Sequence, residues 1–485
     1  MNRFGEEPRR LLTLIKHEFH TYKAERWILV SCLALFCILA AEFIFAARAY
    51  REIKVSTEVA QAAAHENWLN QGDRDPHGAA HHGTYLYSPV SPLAGVDPGM
   101  TPHLGSTLRI EAHVRHHLTN AADSDWCNPI RQTFRSPATI VYATIPLLAI
   151  AVGFASISQE RASGTLSMIL VQGVPWRALL LGKVVAATSL IMLTISPFFL
   201  SIAYHLYASF SLPNSETLGS NIFARSVLMC LATLIYVVIW SAICTATSAR
   251  VHSSGTALVA LLGLWLTMVF LLPTIATQVA SATYPLPSQE TFKKWADDRQ
   301  YIEKDGQSKS IFMALHEEVE QQLFTKYGVT NKKDLPVNFD GVFMQEAEKF
   351  TDKLHAENEA RLRVNLQRQA CVVDCIGAIS PFHSMRGMSM ALTMTDLVSH
   401  EHLSDQAEKY RQHLVAVVNA AYAIKSSQRS SADQGGGLWK RVGRFGYELP
   451  SLAFTLRSQG WRLVILTCWL IMAMCFLWWT PSHVT

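Results

Sequence analysis

Six apolar stretches divide the sequence, and each is long enough to cross a lipid bilayer as a helix. They cover residues 27–47, 137–157, 184–207, 226–249, 253–284 and 461–480. The hydrocarbon core of a bilayer is about 30 Å thick, so a crossing helix needs about 20 mostly apolar residues. One such stretch could be the central helix of a soluble domain, but six could not share one soluble core. The pattern therefore predicts an all-α polytopic membrane protein with six transmembrane helices.

Two long polar inserts, residues 48–136 and 285–460, separate these apolar stretches. The second insert contains runs such as 311–327 and 343–368, in which apolar residues recur three and four positions apart among Glu and Lys, as in helices. The first is rich in Gly, Pro and His, and we expect loops and short helices that pack on the second. Together they predict a mostly helical domain outside the membrane.

Positive charge in the short connections predicts the orientation of the helices. Lys and Arg are concentrated in 1–26 and in 158–183, and Arg250 precedes the fifth helix, whereas the loop 208–225 carries Arg only at its far end. Such residues accumulate in cytoplasmic connections, so we expect 208–225 and both inserts outside the cytoplasm. Five Lys and Arg residues within 440–462 conflict with this orientation, because they precede the last membrane helix on the side that is expected to be outside. Long translocated domains escape the charge rule, which weakens this objection without removing it.

Composition agrees with a membrane protein and excludes other classes. Charged residues make up 16% of the chain, against about a quarter in soluble domains. A net charge of +4 is too small to indicate a nucleic-acid partner. The nine cysteines include no CxxC pair, which argues against a zinc ribbon or a thioredoxin-type site. A disulfide between Cys371 and Cys375, or between one of them and Cys127, is an open alternative, although the geometry of a helix is only marginal for a bond between residues four apart.

Residues 1–26 place apolar and charged side chains at helical spacing before the first membrane helix. Leu14 and Phe19 belong to the apolar set, and Lys16 and Glu18 to the charged set. This pattern predicts a cytoplasmic interfacial helix, with its apolar side in membrane lipid and its charged side on the headgroups. The alternative is a cytosolic helix that packs on protein.

The connection 158–183, between the second and third membrane helices, is the candidate functional segment. Glu160 and Arg161 form a charged pair where the second membrane helix ends. Gly164 permits a bend, and Thr165 can cap the short helix that follows. The segment thus predicts a helix and a turn on the cytoplasmic side.

The remainder of this connection predicts a surface for a cytosolic partner. Leu166, Ile169 and Leu170 would give the short helix an apolar face. Pro175 then breaks the helix, and Lys183 is expected to anchor the third membrane helix at the headgroups. Such an element can receive a push from a cytosolic partner and pass it to two membrane helices. A plain connector would not need an apolar face toward the cytosol.

This connection resembles the signature of ABC type-2 transporter permeases. The resemblance rests on Glu160-Arg161, Gly164-Thr165-Leu166, Pro175 and Leu181-Gly182-Lys183. The N-terminal helix and the six-helix plan agree with it across the chain. The inserts resemble one branch of that family, which carries a large extracytoplasmic domain of unknown function and is similar to permeases of nitrous oxide reductase maturation and gliding motility. The matching stretches are 75–85, 91–99, 335–341 and 380–386.

The resemblance implies the permease subunit of an ATP-driven exporter in the bacterial cytoplasmic (inner) membrane. It implies a cytosolic ABC ATPase, which supplies ATP and Mg, and a second permease that is either another copy or a related chain. The residues expected to couple the two subunits are Glu160, Arg161, Gly164, Thr165, Leu166, Pro175, Gly182 and Lys183. A rival hypothesis is a mechanotransmission or scaffold protein, which uses ATP-driven helix motion to act on a periplasmic partner while nothing crosses.

We predict no catalytic, cofactor-binding or nucleotide-binding residue in the chain itself. Gly182-Lys183 is followed by Val and lacks the glycine five residues earlier that a phosphate-binding loop requires. No HExxH motif and no complete nucleophile elbow occur. The chain is therefore expected to be a membrane subunit and not an enzyme.

Histidines cluster in the first insert and raise the question of a metal. They are His77, His81, His82, His103, His113, His116 and His117. Their HxxxHH and HxxHH runs could bring imidazoles within reach of one ion. No Cys or paired carboxylate accompanies them at metal-site spacing, and the first run resembles a fold motif of the branch. We therefore interpret them as structural or surface residues and predict no metal site, with metal binding as the open alternative.

Overall fold

A computed structural model describes residues 3–119, 136–210, 215–297, 299, 301–304, 307–425, 428–430 and 433–480. Within these ranges, six helices are long and apolar enough to cross a membrane, and the paired strands form two short two-stranded sheets. The candidate spans are Arg26–Leu69, Pro137–Ala162, Trp176–Thr194, Leu218–Arg250, Ser254–Thr283 and Trp461–Trp478. The predicted all-α polytopic class is confirmed.

The first membrane helix continues far beyond its apolar stretch. The chain begins with α1 (Arg3–Ala24) and α2 (Arg26–Leu69), and α2 is 44 residues long. Residues 48–69 were expected to belong to a region of loops and short helices. They stay helical because they contain neither Gly nor Pro and are rich in good helix formers such as Ala and Glu.

Residues 76–119 of the first insert, which the structure describes beyond α2, form a small α/β unit. It contains α3 (Pro76–His82), β1 (Thr84–Tyr87), α4 (Thr101–Leu104) and β2 (Thr107–Ile110). The two strands pair antiparallel, with Thr84 opposite Ile110. Cys127 lies outside the described residues.

The bundle is built around buried helices in the middle of the chain. Its elements are α5 (Pro137–Gly153), α6 (Ser158–Ala162), α7 (Thr165–Val171), α8 (Trp176–Thr194), α9 (Ser196–Phe210), α10 (Ser215–Arg250), α11 (Ser254–Leu266), a π-helical turn (Thr267–Leu271) and α12 (Leu272–Thr283). The predicted third span, 184–207, is divided between α8 and α9 beside Pro197, which lacks the N–H of a continuous helix. Side chains such as Tyr142 and Trp240 form the core, whereas Val30 and Val259 expose large apolar surfaces.

The second insert is helical, and the last membrane helix follows it. The elements are α13 (Gln289–Asp297), the hairpin β3 (Tyr301–Lys304) and β4 (Gln307–Ser310), α14 (Ile311–Tyr327), a 3-10 turn (Lys332–Asp334), α15 (Phe339–Gly377), α16 (Pro381–Leu392), α17 (Leu397–Tyr422), α18 (Gly435–Val442), α19 (Leu452–Gln459) and α20 (Trp461–Trp478). Cys371 and Cys375, on α15, are exposed free thiols.

The two inserts share one hydrophobic core. Trp68 at the end of α2 and Ile110 of β2 pack with Leu414 of α17 and Trp439 of α18. The indole N–H of Trp68 donates to the carbonyl of Trp439 across 3.1 Å. The inserts therefore fold together as one domain, the insert domain.

One helix of the second insert lies in the bundle itself. Met385, Met388 and Leu392 of α16 are fully buried in the same core as α5, α10 and α20. The Ser389 hydroxyl also donates to the Asp97 carboxylate, which belongs to the first insert, across 2.5 Å. Residues 285–460 were expected to form part of a domain outside the membrane, and α16 of this range packs in the core of the bundle. With 12 residues, this helix is too short to produce the hydropathy signal of a span.

Candidate coupling site at the connector end of the bundle

One end of the bundle gathers α1, the connection 158–176, the connection 249–254 and the final described residues; we name it the connector end. The indole N–H of Trp176 donates to the carbonyl of Thr480 across 3.2 Å. The Arg250 guanidinium donates to the carbonyl of Phe476 across 3.2 Å and lies 4.0 Å from the centre of the Phe476 ring. These contacts hold segments that are far apart in sequence at one end.

Helix α1 packs on the bundle through its apolar side. Ile15, Phe19 and Tyr22 contact the main hydrophobic core. Gly182 of α8 permits this close approach, because a Cβ atom there would lie only 3.1 Å from the Cβ of Leu14. This arrangement agrees with the alternative of a helix packed on protein, and it removes most of the apolar side from contact with lipid.

A buried lysine joins three segments at this end. The Lys183 Nζ lies 2.7 Å from a carboxylate oxygen of Glu18 on α1 and 2.7 Å from one of Glu160 on α6. The side chains of Lys183 and Glu18 are only 2% and 6% exposed. Burial, followed by the carboxylates of Glu18 and Glu160, raises the pKa of the neighbouring Tyr22 hydroxyl above its usual range, so Tyr22 stays neutral. We name Glu18, Lys183 and Glu160 the charge bridge.

The charge bridge corrects two expectations. Lys183 was expected at the lipid headgroups, and Glu18 on the charged side of an interfacial helix. Both are buried within protein. The spacing of α1 did contain a signal, since Glu18 falls three residues after Ile15 and four before Tyr22, on the apolar face of the helix.

Arg161 binds a different partner from its neighbour Glu160. Its guanidinium donates to the carbonyls of Ala249 and Val251, across 2.5 and 3.2 Å. Carbonyls at a helix C-terminus lack intrahelical donors, and a cation there also interacts favourably with the helix dipole. Arg161 therefore fastens α6 to the end of α10. The adjacent charges were expected to act as a pair, and the structure separates them.

Serines fix the start of α6 to the same place, a contact that the sequence did not reveal. The Ser248 hydroxyl accepts from the backbone N–H groups of Ile157 and Ser158, across 3.0 and 3.2 Å. The hydroxyls of Ser158 and Ser254 lie 2.8 Å apart. Serines are common in apolar helices, so these positions carried no distinguishing signal.

The bend after α6 is set by Gly164, whose φ of 78° lies in the left-handed region. Thr165 does not cap α7 as expected; its hydroxyl donates to the carbonyl of Glu160 across 3.2 Å and closes the preceding turn. Pro175, with φ of −61°, leads into α8 and accepts from the backbone N–H of Ala178 across 2.9 Å. The local conformations thus follow from the Gly and Pro positions.

The side of α7 that faces outward is not the predicted one. Leu166 is 1% exposed and belongs to the core, and Ile169 and Leu170 pack against that core. The exposed apolar side chains are Met168, at 64%, and Val171, at 88%. Leu166, Ile169 and Leu170 therefore hold α7 on the bundle, and the pair Met168 and Val171 forms the outward apolar patch.

The connector end links one short helix pair to several long helices. The charge bridge ties α6 to α1 and α8, Arg161 ties it to α10, and Gly164 joins it to α7. A displacement of α7 would therefore be passed to three long helices by buried contacts. Six of the eight predicted residues lie in the connection before α8, whereas Gly182 and Lys183 lie within α8 itself.

The family model described as ABC-2 family transporter protein matches residues 12–335, more than half of the chain and all of the connection 158–183. The chain belongs to the ABC-2 transporter family. The predicted resemblance is thereby confirmed. This ABC-2 permease is a transmembrane protein of a family whose members generally work with an ABC ATPase. A second model, Domain of unknown function (DUF3526), matches residues 303–448 of the second insert. No curated protein matches the chain.

Proposed function

We propose that this ABC-2 permease couples ATP hydrolysis by a separate ABC ATPase to the outward movement of a substrate. In this proposal the connector end faces the cytoplasm of a bacterial cell, and the insert domain lies outside the cytoplasmic membrane. The observation that carries the proposal is the buried charge bridge, because it joins α6, the short helix that precedes α7, to both α1 and α8.

The charge bridge suits a transmission element. Separating a buried ion from its partner costs about 3–5 kcal/mol. Movement of α6 and α7 toward or away from the membrane would therefore carry Glu18 and Lys183 along with Glu160. The ATPase, with its ATP and Mg, would contact the outward patch of Met168 and Val171 and move α1 and α8 together.

A second permease would complete the assembly. Side chains such as Val30 and Leu33 on α2 and Val259 on α11 are exposed and apolar. Such surfaces suit lipid or another membrane helix, and not water. The proposed complex therefore has two permeases and two ATPase subunits, and its remaining apolar surface contacts lipid.

Paired methionine variants test the contact with the ATPase. Met168 and Met313 are 64% and 65% exposed, but Met168 lies on α7 and Met313 on α14 of the insert domain. Each is replaced by Glu in the full chain, which is then co-expressed with its ABC ATPase and purified. A buried carboxylate at an apolar contact is costly, so Met168→Glu should lose the co-purifying ATPase and its permease-dependent ATP hydrolysis.

Met313→Glu controls for the general effect of a new surface charge and should retain the ATPase. Equal retention in both variants would exclude the outward patch as the docking surface. Loss in both would indicate that the charge acts through solubility or folding and would not support the assignment.

The second candidate function is mechanotransmission without transport. It is favoured by the position of α16, since a helix of the insert domain packs directly against α5, α10 and α20 in the bundle core. Helix motion would then reshape the insert domain and act on a periplasmic partner. Sealed inverted vesicles with both subunits separate the two functions, because export requires ATP-dependent accumulation of a compound inside. ATP turnover with no passage would support mechanotransmission.

A further inference from the structure

Three histidines of the first insert meet in the insert domain, far along the chain from the charge bridge. His77 and His81 are four residues apart on α3 and therefore share one face, and His113 follows β2. One ring nitrogen from each lies within 4.8 Å of those of the other two. The ring centres are 4.7 Å apart for His77 and His81 and 5.2 Å apart for His81 and His113.

The nitrogen spacing is close to that of a metal site. The Nε2 atoms of His77 and His81 are 3.1 Å apart. Two imidazole nitrogens bound tetrahedrally to zinc at about 2.0–2.1 Å lie about 3.3 Å from each other. His81 is exposed, so its ring is free to adjust, and His77 is held by stacking on Tyr422 with ring centres 5.6 Å apart. The pair is thus already spaced as two ligands of one ion.

His113 is oriented by a buried carboxylate. Its Nδ1 lies 2.7 Å from the Glu348 carboxylate, and its backbone N–H donates to the same group across 3.0 Å. Glu348 is 2% exposed and is also bound by the buried Arg411 guanidinium. A proton on Nδ1 leaves Nε2 of His113 as the nitrogen available to a metal. Metal-binding histidines commonly donate their second N–H to a carboxylate in this way.

The backbone at His113 shows that this placement is specific. Its φ of 63° is unusual for a residue other than Gly and is maintained here by the bonds to Glu348. The other two histidines of the second run have separate partners, since His116 lies 2.5 Å from Glu111 and His117 lies 3.3 Å from Glu359. The cluster is therefore a defined triad and not a general accumulation of histidine.

We propose that His77, His81 and His113 bind one divalent transition-metal ion of the zinc and copper class, with Glu348 as the carboxylate that orients His113. A ligand set made only of imidazoles suits these ions and does not suit calcium or magnesium, which prefer oxygen ligands. Three protein ligands leave a fourth position for water or an incoming ligand. All three ligands belong to the first insert, and Glu348 of the second insert would orient one of them.

Zinc binding by the full chain tests the proposal. The permease is purified in detergent without a polyhistidine tag, stripped with a chelator and titrated with Zn²⁺, and the bound ion is counted after dialysis. Wild type should bind one ion per chain. His81→Ala should weaken binding at least tenfold, because a ligand is lost, and Glu348→Gln should weaken it about 10–100-fold.

His82→Ala is the matched control, since His82 follows His81 on α3 and is likewise exposed. It should bind zinc as wild type does. Co²⁺ gives an independent reading, because the visible absorption of tetrahedral cobalt should appear in wild type and disappear in His81→Ala. Equal zinc affinity in His81→Ala and His82→Ala, or no bound ion in wild type, would overturn the proposal. Because His81 is exposed, its removal leaves the fold intact.

Discussion

Replacing Lys183 with Met removes the cation that two carboxylates share at the connector end. Met retains most of the side-chain volume, so packing against α1 is nearly unchanged. Glu18 and Glu160 are then left facing one another with no positive charge between them. The variant therefore isolates the electrostatic part of the charge bridge.

The size of the destabilisation expected for Lys183→Met follows from the burial of its partners. Removing one partner of a buried ion pair costs about 3–5 kcal/mol, because a charge stays buried and unpaired. Glu18 is 6% exposed and cannot recover its hydration, whereas Glu160 is 19% exposed and recovers part of it. We therefore expect a loss of about 3 kcal/mol in the free energy of unfolding.

A surface pair supplies the control. Lys349 Nζ also lies 2.7 Å from its partner Glu346, but these side chains are 61% and 39% exposed. Exposed pairs contribute about 0–1 kcal/mol. Lys349→Met should therefore change the free energy of unfolding by no more than about 1 kcal/mol.

The assay is unfolding of the purified chain in detergent micelles against rising dodecyl sulfate, followed by tryptophan fluorescence. Lys183→Met combined with Glu18→Gln and Glu160→Gln should recover much of the loss, since no unpaired charge then stays buried. If Lys183→Met costs no more than Lys349→Met, the charge bridge does not hold α1, α6 and α8 together, and the proposed transmission fails with it.

Two further predictions concern the bend and the insert domain. Gly164→Ala should lower the free energy of unfolding by about 1–2 kcal/mol, because the φ of Gly164 is 78° and a side chain is unfavourable in this left-handed region. Gly263→Ala is the control: Gly263 has equally open surroundings but lies within α11, so this change should not destabilise the chain. Both variants are compared by unfolding in detergent. Burial raises the pKa of Asp352 from 3.8 to about 6, the nearby Arg411 opposing the rise and Glu348 adding to it. The folded chain thus binds the proton on Asp352 more tightly than the unfolded chain does. This difference stabilises the folded chain by at most about 3 kcal/mol. The stabilisation is complete below about pH 4 and is lost as the pH rises through about 6. Asp352→Asn should remove this slope from the pH dependence of unfolding, and an unchanged slope would contradict the assignment.

Hydropathy predicted the membrane helices because an apolar run of about 20 residues rarely occurs in any other kind of structure. It did not predict where α2 ends, since residues 48–69 change from apolar to polar without any residue that stops a helix. It also missed α16, whose burial depends on neighbours that are distant in sequence. The limits of these helices are decided by capping and packing, which hydropathy does not measure.

The candidate site was predicted as a segment more successfully than as a set of contacts. Gly164 and Pro175 act locally, so their conformations follow from their own chemistry. The partners of Lys183 and Arg161 come from α1 and α10 and required the tertiary structure. A lysine at the start of an apolar run has the same sequence pattern whether it binds lipid headgroups or buried carboxylates, and only burial distinguishes the two.

The histidine triad shows the same limit. Spacing on α3 placed His77 and His81 on one face, which the sequence could indicate. The third member follows β2 and its carboxylate lies on α15, so the full set required the tertiary structure that brings the two inserts together. Sequence distance concealed the combination, although each run of histidines was visible.

Helix α2 has a mechanical consequence of its own. It starts beside α1 at the connector end, continues unbroken for 44 residues and finishes at Leu69, next to Trp68 in the core of the insert domain. At 1.5 Å per residue it is a rod of about 66 Å, so a tilt of about 5° at its base would sweep its tip through about 6 Å. Such a lever would convert a small tilt at the connector end into a displacement within the insert domain that is wide enough to open or close a protein surface.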